Sequence, residues 1–250
     1  MKTAKIYSGE LSLKNLVAVV TGASSGIGQA IATSLARHRA AVCAVGRDAD
    51  RLSATIKSAQ LHSRVLPFQA DLVQQESIGR LERLLATEFG RLDILVHCAG
   101  IIRHNPMSVA LLEDLDAQYA TDVRMPYMLT KLLLPMLKAS SGQIVFINSS
   151  LGVNAKRPEV GQFAAAQHAM KAIADSLREE VNSDGIRVLT VYPGRTATPR
   201  QKRLYQQEAK PYRPEVLLQP TDIAAVVINS LTLPRTAEVT DIHIRPMIKT

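Results

Sequence analysis

Short apolar runs alternate along this chain with longer segments in which apolar and polar residues recur at helical spacing. The apolar runs predict strands at residues 17–20, 41–45, 65–70, 93–98, 143–148, 187–191 and 239–244. The amphipathic segments predict helices at residues 27–37, 77–89, 163–182 and 221–231, with one or two more helical stretches in residues 111–137. Asp48 is placed to cap a helix after the second strand, and Gly90 is placed to end the helix predicted at residues 77–89. Pro126 and Pro135 mark bends or ends within residues 111–137.

Strands that alternate with helices form βαβ units, which require a parallel sheet covered by helices on both faces. The predicted fold class is therefore α/β, a doubly wound parallel sheet of about seven strands. The chain has 250 residues, 46% of them hydrophobic, and is expected to form a single domain over residues 1–250. Residues 196–219 are rich in Lys, Arg, Gln and Pro and interrupt the alternation. Ligands bind such sheets at the carboxyl ends of the strands, so candidate chemistry is expected there.

Charge and cysteine content argue against several other classes. The net charge is +8, but the basic residues are scattered and aromatic residues make up only 4%, so nucleic-acid binding is not expected. Residues 1–10 are polar and lack the apolar core of a signal peptide, and no apolar run approaches the ~20 residues of a membrane span. A cytoplasmic protein is expected. Cys43 and Cys98 lie in apolar runs, which favours free buried thiols over a disulfide or a metal site.

Three glycines separate the first predicted strand from the first helix, in the segment TGASSGIG at residues 21–28. Gly22 permits a tight turn, Gly26 allows the backbone to approach a pyrophosphate, and Gly28 allows close packing of the helix. The N-terminus of the helix would direct free N–H groups at the phosphates. An ordinary glycine-rich turn is the alternative, but the flanking strand and helix favour a Rossmann-like dinucleotide site. The cofactor residues predicted in this loop are Gly22, Ser24, Ser25, Gly26, Ile27 and Gly28.

The end of the second strand indicates which dinucleotide is bound. NAD-binding proteins of this fold usually carry an acidic residue there, which binds the ribose 2′-hydroxyl. In this chain Gly46 takes that place and Arg47 follows it. A guanidinium suits a 2′-phosphate because it is charged, planar and bidentate. NADP(H) is therefore favoured over NAD(H), with a solvated surface arginine as the alternative for Arg47.

The glycine spacing TGxxxGxG, together with PGRTATP at residues 193–199, resembles the classical short-chain dehydrogenase/reductase family over nearly the whole chain. His97 and Cys98 replace the two asparagines of the family's NNAG segment. The resemblance implies assembly into homodimers or homotetramers. It also implies further cofactor contacts at Asp71, Leu72, Ala99, Gly100, Pro193, Gly194, Thr196 and Thr198.

The same resemblance locates the family's catalytic positions. Family members have a Ser that holds the substrate carbonyl, a Tyr thirteen positions later that exchanges the proton, and a Lys one helical turn further that lowers the pKa of the Tyr and binds the ribose. An Asn on the preceding helix completes the set. Ser150 matches the Ser, but Phe163 replaces the Tyr, Gln167 the Lys and Asp122 the Asn. Phe has no proton to donate and Gln carries no charge, although Gln167 can hydrogen-bond a ribose hydroxyl.

The loss of a positioned acid–base group typically lowers a rate by ~10²–10⁴, so standard carbonyl reduction is expected to be impaired or altered. Two functions therefore stay open. One is an NADP(H)-dependent oxidoreductase, or a non-redox enzyme using the same pocket, with Asp122, His104, His168 or Lys171 as alternative proton donors. The other is a pseudoenzyme that acts as an NADP-binding sensor or partner subunit. A small-molecule substrate is expected but not identified.

Residues 196–219 fall where the resemblance places a substrate lid, and they are interpreted as a lid-like insertion. A solvated, mobile loop is the expected structure. Basic residues of this region that could instead meet an anionic substrate are Arg195, Arg200, Lys202, Arg203, Lys210 and Arg213.

Overall fold

The computed structural model describes residues 13–60 and 62–248, so the expectations for residues 1–10 lie outside it. Within these residues, seven strands form one sheet in the order β3-β2-β1-β4-β5-β6-β7. Every neighbouring pair is parallel, which confirms the doubly wound parallel sheet. The strands are β1 Val17–Thr21, β2 Ala41–Gly46, β3 Val65–Gln69, β4 Ile94–His97, β5 Gln143–Ile147, β6 Arg187–Pro193 and β7 Asp241–Ile244.

Helices follow the strands in alternation. They are α1 Gly26–Arg37, α2 Ala49–Ala59, α3 Gln75–Glu88, α4 Leu112–Tyr119, α5 Met125–Ser140, α6 Gly161–Val181, α7 Pro199–Gln207 and α8 Pro220–Leu231. Asp48 caps α2 as expected, because its carboxylate accepts a hydrogen bond from the Arg51 N–H at 3.0 Å. Gly90 follows α3 with a φ of 68°, and its N–H donates to the carbonyl oxygen of Leu85. Both local signals were read correctly from the sequence.

The core lies on both faces of the sheet because neighbouring residues of a strand point in opposite directions. In β1, Ala18 and Val20 pack in the cluster formed with α1, α2 and α8. Val19, between them, packs in the cluster formed with α3, α5 and α6. All three side chains are fully buried. The continuous apolar runs of the sequence are explained by this double coverage.

The helical segment before β5 follows one nearly continuous path. A π-helical turn, Ala120–Arg124, joins α4 directly to α5. Pro126 lies in the first turn of α5, whereas Pro135 lies inside it without ending it. π-turns within helices frequently occur at functional sites, and this one carries Asp122.

Residues 196–219 are more ordered than the sequence suggested. Thr198 caps α7, since its side chain accepts a hydrogen bond from the Gln201 N–H at 3.1 Å, and Pro199 follows in the first turn. A short 3₁₀ turn, Pro214–Val216, precedes α8. The expectation of a loop was wrong at Pro199–Gln207, because it weighed polar composition above these helix-start signals, whereas most basic side chains of the segment are exposed as expected.

The described part of the chain contains no helix long and apolar enough to cross a membrane.

Candidate cofactor and active site

A cavity of about 1000 Å³ opens at the carboxyl ends of the strands. Its walls come from the segments that follow β1 to β6, as expected for a parallel sheet. The residues singled out from the sequence that line it are Gly22, Ser24, Ser25, Gly26, Ile27, Gly28, Arg47, Asp71, Leu72, Ala99, Gly100, Asp122, Phe163, Gln167 and Thr198. Four others do not line it, namely Ser150, Pro193, Gly194 and Thr196.

The glycine loop is packed so closely that side chains cannot be added to it. A Cβ on Gly22 would lie 2.8 Å from the Ala99 nitrogen, and one on Gly28 would overlap the carbonyl group of Gly22. Gly22 and Gly26 also adopt positive φ angles of 69° and 57°. Ser25 precedes α1 without a side-chain capping hydrogen bond. The loop therefore presents backbone and the start of α1 to the cavity, which suits a pyrophosphate.

The loop after β2 presents a positive charge to the same part of the cavity. Arg47 is exposed, lines the cavity and makes no ion pair with any residue in the described ranges. A Cβ on Gly46 would lie 3.1 Å from the Ser24 Cβ, so an acidic side chain at this position would crowd the glycine loop. Arg51, also on the cavity wall, is paired with Asp48 at 3.2 Å. An unpaired guanidinium at this point could bind an anionic group of a cofactor.

Thr21 joins the glycine loop to the end of β4. Its buried Oγ1 accepts hydrogen bonds from the N–H groups of Cys98 and Ala99, at 3.0 and 3.1 Å, and donates to the Val96 carbonyl oxygen. This structural role was missed in the sequence, although a hydroxyl that ends a run of buried valines was a signal for it. His97 is buried beside this junction, where burial lowers its pKa to about 3. It bonds the Thr130 hydroxyl at 2.8 Å.

Asp122 lies on the cavity wall and is the acceptor at the centre of a hydrogen-bond network. One carboxylate oxygen accepts the Ile101 N–H at 3.0 Å, and the other accepts the side-chain amides of Gln167 at 2.9 Å and Gln118 at 2.5 Å. The side chain is only 6% exposed. Burial raises the pKa of Asp122 to about 7, although these donors and the charge of Arg200 act in the opposite direction.

Gln118 was not recognised as a site residue. It is fully buried, and its side-chain oxygen accepts the Arg103 N–H while its amide nitrogen also donates to the Ile101 carbonyl oxygen. These bonds fix the orientation of the side-chain amide, so its NH₂ group, and not its oxygen, faces Asp122. No sequence signal identified it, because a single Gln on an amphipathic helix is usually solvated.

Phe163 and Gln167 lie on one face of α6, and both are buried and line the cavity. The ring of His104 meets the edge of the Phe163 ring, with 5.8 Å between the centroids. Burial lowers the pKa of His104, which disfavours its charged form.

Two of the alternative proton donors point elsewhere. His168 is exposed and bonds the Ala164 carbonyl oxygen at 2.8 Å. Lys171 is paired with Asp175 at 2.5 Å. Neither lines the cavity. Of the four proton donors considered, Asp122 is therefore the one that lines the cavity.

Ser150 starts a 3₁₀ turn, Ser150–Gly152, and its side chain is exposed rather than on the cavity wall. Asn148, two residues earlier, is buried and lines the cavity. Its side-chain amide donates to the Gln167 carbonyl oxygen at 3.0 Å. The structure thus places Asn148, which the sequence did not single out, on the cavity wall and Ser150 off it.

Most of the segment predicted to contact the cofactor after β6 does not line the cavity. Pro193 is the last residue of β6, and the Gly194 N–H donates to the Ile244 carbonyl oxygen. Thr196 is buried and pairs with Leu218 in an isolated bridge. Of the cofactor residues predicted in this segment, only Thr198 lines the cavity, and its Cγ2 would lie 3.0 Å from a Cβ on Gly26. The start of α7 therefore lies directly against the glycine loop.

Cys98 lines the cavity and Cys43 is buried in the core, and both are free thiols. Burial raises the pKa of each to about 12, so neither is a ready nucleophile. The described residues contain no group of three or more His, Cys, Asp or Glu side chains that could hold a metal ion.

Known proteins share this architecture. The model of the short chain dehydrogenase family matches residues 16–209. An uncharacterised oxidoreductase of Staphylococcus epidermidis is 30% identical over 236 residues, which cover 94% of this chain and 99% of that protein. L-sorbose reductase from Gluconobacter frateurii, solved with NADPH and L-sorbose, superimposes with a TM-score of 0.87 at 25% identity, covering 97% of this chain and 100% of that one.

An alcohol dehydrogenase from the archaeon Thermococcus sibiricus, solved with 5-hydroxy-NADP, has a TM-score of 0.84 at 26% identity, with 94% of this chain and 98% of that chain covered. The family model spans most of the chain, and these similarities extend over nearly all of it. Together with the glycine loop and the parallel sheet, they show that the chain has an oxidoreductase scaffold and belongs to the short-chain dehydrogenase family.

Proposed function

We propose that the chain binds NADP(H) and acts as an oxidoreductase in which the buried carboxyl group of Asp122, rather than a tyrosine, supplies the proton. The observation that carries this proposal is a carboxyl group on the cavity wall whose pKa lies near 7, in direct contact with Gln167. A general acid is most effective when its pKa is close to the working pH.

The residues present fit a dinucleotide phosphate. Close packing keeps side chains off Gly22, Gly26 and Gly28, so this loop and the start of α1 present backbone groups to the cavity. Arg47 would hold the 2′-phosphate, and Gln167 a hydroxyl of the nicotinamide ribose. NADPH, when bound, supplies a hydride. The preference for NADP(H) rests on the unpaired Arg47, because the cofactors of the similar structures belong to those proteins.

The surroundings of Asp122 suit a group that alternates between a protonated and an ionised form. As an acid it would give its proton to the oxygen of a carbonyl group, which becomes an alcohol when its carbon also gains a hydride. The carboxylate left behind is stabilised by the Ile101 N–H and by the amides of Gln118 and Gln167. Phe163 contributes no proton and closes this end of the cavity with an apolar surface.

A second function is favoured by one observation. Both oxygens of Asp122 already accept hydrogen bonds, which leaves little capacity for a substrate. The exposed position of Ser150 also removes the family's usual contact with a carbonyl oxygen. An NADP-binding sensor or partner subunit, without turnover, is the alternative.

Cofactor binding is tested by fluorescence titration of the cofactor-free protein with NADPH and then NADH. We expect NADPH to bind more tightly, and Arg47→Ala to weaken NADPH binding by about tenfold or more while leaving NADH binding unchanged. Lys57→Ala, on α2 and away from the cavity, removes the same charge as a control. Equal affinity for the two cofactors would refute the preference.

Catalysis is tested by following NADPH oxidation with a panel of aldehydes and ketones between pH 6 and 8. We expect Asp122→Asn to lower kcat by ~10²–10⁴ with little change in NADPH affinity. Asp116→Asn, an exposed position on the same helical path, is the matched control. Tight NADPH binding without turnover by the parent protein on any substrate would favour the sensor instead.

Assembly of the chain into dimers or tetramers, and the absence of a nucleic-acid partner, remain predictions. Apolar side chains are exposed around the start of α4, including Met107 at 90% and Leu112 at 74%. Such a patch is compatible with contact between copies of the chain. Light scattering would give the mass in solution directly.

A further inference from the structure

The cavity has a charged wall that the reaction described above does not use. Arg200, Arg203, Leu204 and Gln207 of α7 all line the cavity. Residues at this spacing lie on one face of a helix. Arg200 and Arg203 therefore lie on the face of α7 that lines the cavity, with the apolar side chain of Leu204 between them and Gln207.

Other basic residues of the same region are neutralised. Arg195 and Lys210 both bind Glu208, each at 2.9 Å, and Arg213 binds Glu215 at 3.1 Å. None of these basic residues lines the cavity. Lys202 is exposed and also lies off the wall, so Arg200 and Arg203 are the two of these basic residues that line the cavity.

Neither guanidinium group on the wall forms an ion pair with an acidic side chain of residues 13–60 or 62–248. Arg200 donates to a neutral acceptor, the carbonyl oxygen of Gly100, at 2.5 Å, which holds it beside the end of β4. Arg203 makes no hydrogen bond or ion pair with any residue of the described ranges. Asp122 lies nearby, but its oxygens are taken by other donors. An arginine pair with this geometry is suited to an oxyanion, which it can bind through several N–H groups.

The adjoining walls are apolar. Ile101 and Ile102 follow β4, Met125 and Pro126 begin α5, and Leu204 lies between the arginines and Gln207. A ligand that fits this space needs a carbon chain for the apolar walls and an anionic group for the arginines.

We propose that α7 selects small organic acids, with the carboxylate held by Arg200 and Arg203 and an apolar chain against these walls. The substrate class would then be an oxo acid or the matching hydroxy acid. This assignment of the reacting group rests on the proposed oxidoreductase function, but the binding of the acid does not require turnover. The cofactor phosphates are the other source of oxyanions that could reach these arginines, and the experiment distinguishes the two.

The test is calorimetric titration of the protein, with and without NADP⁺, using 2-oxooctanoate and 2-octanone. The two probes share the ketone position and chain length and differ in the carboxylate. We expect the oxo acid to bind at least about tenfold more tightly than the ketone. Arg203→Ala should remove most of this difference. Lys202→Ala, at an exposed position of α7 that does not line the cavity, should preserve it.

Equal binding of acid and ketone by the parent protein would overturn the proposal, as would equal behaviour of Arg203→Ala and Lys202→Ala. A loss of NADP⁺ affinity in Arg203→Ala with unchanged affinity for the acid would also overturn it, because the arginines would then serve the cofactor. Binding is measured without turnover, so a protein that binds the acid but never reduces it contradicts only the oxidoreductase function.

Discussion

The cavity has a cofactor end, formed by the glycine loop, and a reaction end, formed by Asp122, Phe163 and Gln167, and the two ends place different constraints on the sequence. At the cofactor end, the constraints lie in the backbone: a Cβ on Gly22 would meet the Ala99 nitrogen at 2.8 Å, so the chain itself would have to move. At the reaction end, the residues that depart from the family pattern, Phe163 and Gln167, are side chains on an intact helix. A fold can therefore hold a dinucleotide site while its proton chemistry changes, because the two depend on different parts of the chain.

The departures at the reaction end are also coupled. Gln167 donates to Asp122 at 2.9 Å, so the residue in the Lys position contacts the residue in the Asn position. A neutral amide beside a carboxyl group with a raised pKa forms a consistent pair, whereas a lysine there would meet a carboxylate. The reaction end is therefore a rearranged polar site rather than a site from which groups were simply removed.

The largest expected effect comes from restoring the family set at the reaction end. Phe163→Tyr with Gln167→Lys supplies a proton donor and its activating charge, but Asp122 would hold the new lysine in an ion pair. We therefore expect the triple variant with Asp122→Asn to exceed the double variant, and to raise reduction of simple ketones by ~10²–10⁴ over Asp122→Asn alone, which has neither proton donor. NADPH oxidation measured at saturating cofactor checks this.

Phe163→Tyr alone is the matched control, because it adds the hydroxyl group without its activator. A triple variant that binds NADPH as the parent does and gains no activity would show that the departure extends further, with the exposed position of Ser150 as the next cause to examine.

Much of the fold followed from the sequence because its signals are local. Continuous apolar runs reflect strands buried on both faces, and the roles of Asp48 and Gly90 at helix ends depend on a few neighbouring residues. Residues 196–219 were misjudged since composition was weighed over the Thr198 and Pro199 pair that starts α7. Whether residues 111–137 form one helical stretch or two was left open, because a proline inside a helix is usually a break, and the π-turn that joins α4 to α5 was not predicted.

The site was less accessible to sequence reasoning. Motif spacing located Asp122, Phe163 and Gln167, and the structure brings them to one wall. Gln118 and Asp122 are four residues apart, which places them on one helix face, but the sequence did not indicate that both are buried. The neutralisation of Arg195 by Glu208 required the three-dimensional path of the chain. Pairing among charges depends on distances that no linear pattern contains.

The next effect concerns pH. Burial raises the pKa of Asp122 from 3.8 to about 7, so between these values the folded protein binds a proton that the unfolded chain has released. The contribution of this group to stability is therefore greatest at low pH and falls as pH rises towards 7. Between pH 5 and 8 we expect the parent to lose about 3 kcal/mol of unfolding free energy that Asp122→Asn does not lose. Urea denaturation at several pH values measures the difference.

Only the difference between variants is informative, because the lowered pKa values of His97 and His104 act with the opposite sign in both proteins. Asp116→Asn, which alters an exposed carboxylate, should follow the parent. Parallel curves for the parent and Asp122→Asn would mean that Asp122 stays ionised across this range and is not the proton donor.

The smallest effect in free energy tests the cofactor end. In Gly28→Ala the added Cβ would overlap the carbonyl group of Gly22, so the loop must shift; we expect a loss of roughly 1–3 kcal/mol of stability together with weakened NADPH binding. Gly79→Ala is the matched control within another helix, since its Cβ would meet only the Arg83 guanidinium at 3.6 Å. It should instead gain about 0.5–1 kcal/mol. Thermal unfolding and NADPH titration of both variants measure the contrast. Unchanged NADPH affinity in Gly28→Ala would mean that pyrophosphate binding does not depend on the backbone of this loop. The cofactor end would then not differ from the reaction end in the way proposed above.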